Sequence, residues 1–431
     1  MTDRLLVRGH IATFDSARPE ATSVLIDRGV VAELDASGDL DAAVIELPGD
    51  ERLQPGYVDD HVHVLATAAT RLSVDVSAAS SIADLLAVVE EACRHIDGWL
   101  RVWGYDDALL VDRRHPSLDE LDEVTADRPT VVHHRSGHVA LVNSAALRAL
   151  GDGPPGGVVV EGHELLAKVP RLDPVQLAES AAAVLDEMVS RGIVRCTEAT
   201  HTNDLAALEF LATLTRRDGP DIVAMVGADR LGSLGGLDCG DAVHGVQIGH
   251  AKVMPVIGDD HSLVPLVAAA RAADFPVALH VMDIDTLAVT LDALGESPSG
   301  ADRIEHCALA LPEQLDRVAA DGHAVCTQPS FVSQREAKYR AQLSNVEQTW
   351  LWPLRSLVER GITVTFGSDS PVVPADPSQW IDGAVDRPIG ADEAVDRDTA
   401  LRLASIGPVA PGLAARGLVI GGGRGFRRLG V

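Results

Sequence analysis

The chain has 431 residues and a formal net charge of -28, too long for one small core and long enough for a large α/β barrel with an accessory domain. The acidity excludes a nucleic-acid partner, because phosphate binding needs a basic face; it serves solubility, a saline cytoplasm being the alternative source. A hydrophobic share of 46% argues against disorder, and no apolar run reaches the roughly 18–20 residues that cross a bilayer.

The start, "MTDRLLVRGHIATF", lacks the layout of a signal peptide, which predicts a cytoplasmic protein. "RLLVRGHIATF", "ATSVLID" and "GVVAELD" read as short strands. Residues 1–52, joined by a strand-like, glycine-rich tail within 405–431, are expected to form a small β-sandwich domain. "LQPGYVDDHVHV" then opens a new unit, predicted to run over 53–404. Seven more apolar, β-branched runs follow it: 192–200, 221–227, 245–254, 275–282, 302–309, 322–330 and 361–370. Stretches of helical period lie between several of them, such as "SLVPLVAAARAAD" and "LPEQLDRVAADG". Eight strand–helix units in series predict a (β/α)8 TIM-like barrel.

The run "RPTVVHHRSGH" (128–138) exceeds that count. The gap after strand one is far longer than a βα unit needs, so residues 65–185 are read largely as an insertion over the barrel mouth. The alternative makes 128–138 the second barrel strand and leaves "DIVAMVG" (221–227) peripheral. Five cysteines, Cys93, Cys196, Cys239, Cys307 and Cys326, include no CxxC pair, so neither a disulfide framework nor a thiolate zinc site is indicated.

Barrel chemistry collects at the C-terminal ends of the strands. His61 and His63 sit at the end of strand one, and residues i and i+2 share a face. Lys252, one of only three lysines, falls on strand four, His280 on strand five and His306 on strand six, and Asp369 follows strand eight. A lone histidine is more often a hydrogen-bonded core or surface residue than a ligand, and His133 and His134 point to opposite faces. What singles out the six is their registration at strand ends of one barrel. Imidazole and carboxylate suit a borderline divalent ion such as zinc, which activates water. Asp369 could accept the water's proton. A buried lysine can lose its proton, and as a carbamate Lys252 could bridge two ions.

These segments resemble the amidohydrolase superfamily, and within it the YtcJ-like branch (amidohydrolase family 3) that includes N-substituted formamide deformylases. "PGYVDDHVH", "RVWGYDD", "LDEVTADRPTVVHHRSGHVALVNSAAL", "RIEHCALALPEQLDRVAADGHAVCTQPSFV", "GITVTFGSDSPV" and "DGAVDRP" carry the resemblance in this order, from about residue 50 to 400. It implies a metal site of His61, His63, Lys252, His280, His306 and Asp369, with Lys252 the carbamylated bridge if two ions bind and Asp369 both ligand and general base. It also implies pocket roles for Trp103, Tyr105, Asp106, His138 and Gln328. Three departures stand out: "KVMPVIGDD" after Lys252, "MDID" after His280, and Ser136 in place of an aspartate before Gly137-His138.

The expected activity is hydrolysis of a C–N bond in an amide, formamide or N-acyl substrate by a metal-activated hydroxide. A lactonase, esterase or deaminase on the same site is the alternative, and a noncatalytic, metal-stabilised binding protein the remote one. The partner is a small-molecule substrate, with neither nucleic acid nor membrane, and a homodimer is left open.

Overall fold

The computed structural model describes residues 4–36, 41–151, 153–160, 162–255, 260–295, 300–423 and 425–430. They form two compact units. One combines residues 1–63, 185–369 and 373–431; the other is Val64–Val184 with Ser370–Val372.

In the first unit, eight parallel strands follow one another around a barrel: Tyr57–Val62, Ile193–Glu198, Asp221–Gly227, Val246–Val253, Val277–Val281, Arg303–His306, Ala324–Thr327 and Val364–Phe366. They are numbered one to eight below. These are the eight runs expected from the sequence, with 221–227 as strand three. Each pairs in parallel with the next, as in Ala278↔Arg303 and Val325↔Val364. Strands buried on both faces should read as near-continuous apolar runs, and strand one is buried along its whole length. Strands eight and one close on each other without a ladder. The Asp369 N–H donates to the His61 carbonyl at 2.7 Å, and a Cβ on Gly367 would lie 2.5 Å from that of His61. Only glycine fits there.

The intervening helices cover the barrel by the usual apolar stripe. In Ile284–Leu294, Leu287, Leu291 and Leu294 are buried, and Asp283 caps the first turn by accepting from Thr286 N at 2.7 Å. The "MDID" departure is therefore a helix N-cap, a role the carboxylate fills well. The stretches read as helical are Asp260–Ala272 and Pro312–Ala320.

The termini build a seven-stranded mixed sheet. Its path runs Gly425–Arg428, Leu418–Gly422, Arg52–Pro55, Arg4–Ala12, Glu20–Asp27, Val30–Leu34, with Ala43–Glu46 paired in parallel to Arg4–Ala12. The tail does return to the N-terminal strands: Leu418–Gly422 pairs antiparallel with Arg52–Pro55. Val7, Ile11, Val24, Leu53, Leu418 and Ile420 share its core.

The second unit holds its own five-stranded sheet, ordered Val158–Val160, Val139–Val142, Thr130–His134, Leu100–Tyr105, Val74–Asp75. The run at 128–138 thus belongs here and not to the barrel. Leu85, Leu100, Val102, Tyr105, Leu121, Val132 and Leu141 pack together. Helix Leu118–Thr125 starts with a capping box between Ser117 and Glu120. Among the described residues no helix is long and apolar enough to cross a membrane.

Candidate metal centre

His61 and His63 stand at the end of strand one because its alternation sends both imidazoles to one side. His63 Nε2 lies 3.2 Å and His61 Nε2 3.5 Å from the same oxygen, Asp369 Oδ1. The His306 ring centroid is 4.7 Å from that of His61 and 4.5 Å from that of His280. Lys252 is buried, its Nζ has no hydrogen-bond partner, and its charge is felt by His61, His306 and Glu305. The barrel therefore gathers the six residues around one end. His61, His63 and Asp369 have ligand atoms within 4.8 Å of one another.

The backbone carries a mark of this assembly. His306 and Asp369 both sit at positive φ, 69° and 56°, a left-handed conformation uncommon outside glycine, though Asn, Asp and His adopt it more readily than other residues. Such strain persists where the surroundings impose it, typically at functional sites.

What lies behind each histidine sets its tautomer. His61 Nδ1 is bonded to Glu305 Oε2. Arg303 Nε donates to the other Glu305 oxygen at 2.5 Å. His63 Nδ1 meets Thr200 Oγ1 at 2.8 Å, and the Thr200 hydroxyl donates in turn to Glu198. His306 Nδ1 meets Gln328 Oε1 at 2.8 Å. In each case Nδ1 is the donor, so Nε2 is the nitrogen left for a ligand. His306 Nε2 is buried without a hydrogen-bond partner.

The electrostatics agree. Burial, with Lys252 nearby, pushes His61 down to about 3 against the pull of Glu305, so it is neutral. Burial likewise lowers His306 and Lys252. Burial lowers His63 too, but its bonds to Asp369 and Glu198 raise it further, to about 9. Its second ring proton, on Nε2, is the one a cation would replace. Burial would raise Asp369, yet the His63 bond and the three imidazoles hold it well below the usual carboxylate range. Orphaned buried nitrogens and an ionised carboxylate facing one another are what a divalent cation satisfies; the residues fit one.

Asp59 supports this from beneath. It accepts from Ser368 N at 2.8 Å, Ser368 Oγ at 2.7 Å and His61 N at 3.4 Å, tying strand one to the turn that bears Asp369. Asp60 turns away and accepts from Thr197 Oγ1 at 3.1 Å.

Glu305, Glu198, Thr200 and Arg303 were not singled out from the sequence. The available signal was acidic residues inside otherwise apolar strands, where an unpaired charge is costly. Gln328, read as a pocket residue, is fully buried, and its Oε1 serves His306. Trp103, Tyr105, Asp106 and His138 lie in the second unit. Trp103 stacks at 6.3 Å, tilted, near His133. The Tyr105 hydroxyl meets His115 Nδ1 at 3.2 Å. Asp106, buried, accepts from Ala108 N at 3.1 Å. His138 N donates to Ser136 Oγ at 3.3 Å. Of the loop that departs after Lys252, residues 256–259 lie outside the described ones. All five cysteines are free.

Comparison with known proteins agrees with this geometry. The chain is 26% identical to the N-substituted formamide deformylase of Arthrobacter pascens, over 95% of this chain and 89% of that protein. It is 24% identical to "Putative amidohydrolase YtcJ" of Bacillus subtilis (strain 168), over 77% of this chain and 72% of that one. Its fold matches the crystal structure of an uncharacterized metal-dependent hydrolase from Pyrococcus horikoshii OT3 with a TM-score of 0.77, at 21% identity and 97% coverage of both chains. The model of the amidohydrolase family matches residues 49–410. With its barrel, its terminal sheet and its histidine–aspartate centre, the chain belongs to the amidohydrolase family.

Proposed function

We propose that this chain is a metal-dependent hydrolase that cleaves the C–N bond of an amide, formamide or N-acyl substrate, with Asp369 as the proton-transfer residue. The observation that carries the reading is the convergence of His61 and His63 Nε2 on one oxygen of Asp369, 3.5 and 3.2 Å away. The resemblance to a formamide deformylase along nearly the whole chain supports the bond class.

His61, His63, His306, His280 and Asp369 would hold a divalent ion, zinc by ligand type. Such an ion, when bound, lowers the pKa of water toward neutrality and polarises a carbonyl. Asp369 keeps 13% side-chain exposure and His63 26%, against 2% for His61, so Asp369 and His63 are open to a reacting water while His61 is closed. It accepts the water's proton and returns it to the departing nitrogen. Lys252, buried and with no hydrogen-bond partner for Nζ among the described residues, would as a carbamate add an anionic ligand and fit two ions. Trp103, Tyr105, Asp106, His138 and Gln328 remain the residues proposed for substrate contact.

The test is a turnover screen of zinc-loaded protein against N-substituted formamides, N-acyl amino acids, simple amides, lactones and esters, following release of amine or acid. Amine release from a C–N substrate is expected. Turnover confined to lactones and esters would replace this reading with its alternative.

A further inference from the structure

We infer that Glu305, clamped by Arg303, is a positioning residue that restricts His61 to the tautomer able to bind an ion through Nε2. The inference rests on the metal-site reading and concerns what makes that site selective for a cation over a proton.

Glu305 is fully buried on strand six, one residue before His306. Its two oxygens have separate duties: Oε2 faces His61 Nδ1, and Oε1 takes the Arg303 Nε proton at 2.5 Å. Arg303 is itself fixed, because its Nη2 donates to the Asp60 carbonyl at 2.9 Å. A chain of buried groups thus runs from strand six to strand one, and Glu305 has no room to turn away. Cys326 Sγ comes within 4.8 Å of a His61 ring nitrogen and a Glu305 carboxylate oxygen.

The three histidines differ in how strictly their partners dictate the ring proton. Gln328 offers His306 an amide, which could present oxygen or nitrogen by a flip. Thr200 offers His63 a hydroxyl oxygen that accepts only while its own proton is committed to Glu198. A carboxylate can only accept. Glu305 is a carboxylate directly hydrogen-bonded to His61 Nδ1, whereas Thr200 Oγ1 and Gln328 Oε1 meet Nδ1 of His63 and His306. Its isostere glutamine reverses the instruction. Arg303 still needs an acceptor, so the amide oxygen faces Arg303 and the amide N–H faces His61 Nδ1. The ring proton then moves to Nε2 and blocks the ligand position.

The experiment compares wild type with Glu305→Gln. Zinc affinity is measured by chelator competition, and the His61 tautomer by 15N NMR of chelator-treated protein. Wild type should show His61 protonated at Nδ1. The variant should show the proton at Nε2, with zinc affinity lower by about 10- to 100-fold, the usual cost of losing a ligand's outer partner. Unchanged affinity, or wild-type His61 protonated at Nε2, overturns the inference. If circular dichroism shows the variant unfolded, the wild-type tautomer decides alone. Wild type that binds no zinc would instead overturn the metal-site reading, and this inference with it.

Discussion

Each unit of the molecule contains a cluster of one or two histidines with carboxylates, and the two clusters look alike in composition. In the barrel unit His61 and His63 face Asp369; in the second unit His134 Nε2 lies 3.5 Å from Asp106 and 3.2 Å from Asp107. What differs is the other ring nitrogen. His61 Nδ1 faces a carboxylate and must donate. His134 Nδ1 accepts the Ser136 backbone N–H at 3.0 Å and also meets Ser136 Oγ at 2.7 Å, so an accepting Nδ1 leaves the ring proton on Nε2, facing the aspartates. His61 therefore offers Nε2 to a cation, whereas His134 would have to give up the Ser136 N–H bond before its Nε2 could serve as a ligand. A cluster's outer hydrogen bonds, more than its list of ligand types, decide whether a cation can enter. The backbone N–H of residue 136, bonded to His134 Nδ1, is what sets the second cluster apart.

The most severe challenge to this contrast is at the shared oxygen acceptor. Asp369→Asn should reduce kcat by about 10²–10⁴-fold, the range for a lost proton-transfer group, while some metal stays bound. Near-normal turnover would remove Asp369 from its role. Metal content tests the contrast itself. His61→Ala should lose most bound zinc by elemental analysis after dialysis, while His134→Ala keeps the wild-type stoichiometry. If His134→Ala loses an ion, the tautomer argument for the second unit is wrong.

A third prediction compares two histidines outside both clusters. Burial pushes His133 in the second unit and His250 in the barrel unit down to about 4 each. Their folded values lie below the unfolded value near 6.5, so both are neutral in the fold. The stability this gives is complete above about pH 6.5 and is lost as pH falls toward 4, by roughly 1–3 kcal/mol per histidine. Urea midpoints should therefore drop between about pH 7 and 5. His133→Gln and His250→Gln should each flatten that drop; an unchanged slope in either variant would discount that histidine. The smallest effect is at a cap. Asp283→Ala should cost about 1 kcal/mol in thermal or urea unfolding and leave zinc stoichiometry alone, since Asp283 spends its carboxylate on Thr286.

The barrel was legible because its signal is local. Eight β-branched runs announce eight strands, and the i, i+2 spacing of His61 and His63 announces a shared face. The outer partners were not legible. Glu305 meets His61 only because strands six and one belong to one closed wall, and nothing in "RIEHCAL" states the distance. Glu198 reaches His63 through Thr200, a three-residue relay that no spacing rule encodes. The run at 128–138 reads as a strand in either assignment. Which sheet it joins depends on pairing with Leu100–Tyr105 and Val139–Val142, a long-range choice. Likewise Gln328 presents a polar side chain beside a strand end, and its use by His306 emerges only from the packed interior.

The seam between strands eight and one has a bearing on how the protein is made. His61 and Asp369, two ligands of the proposed centre, are joined there by a backbone hydrogen bond, although some three hundred positions separate them along the chain. A ribosome must release the chain well past Asp369 before that bond can form. The proposed centre is therefore completed only late in synthesis, and a nascent chain that stops short of Asp369, whatever strands it has folded, has no finished site.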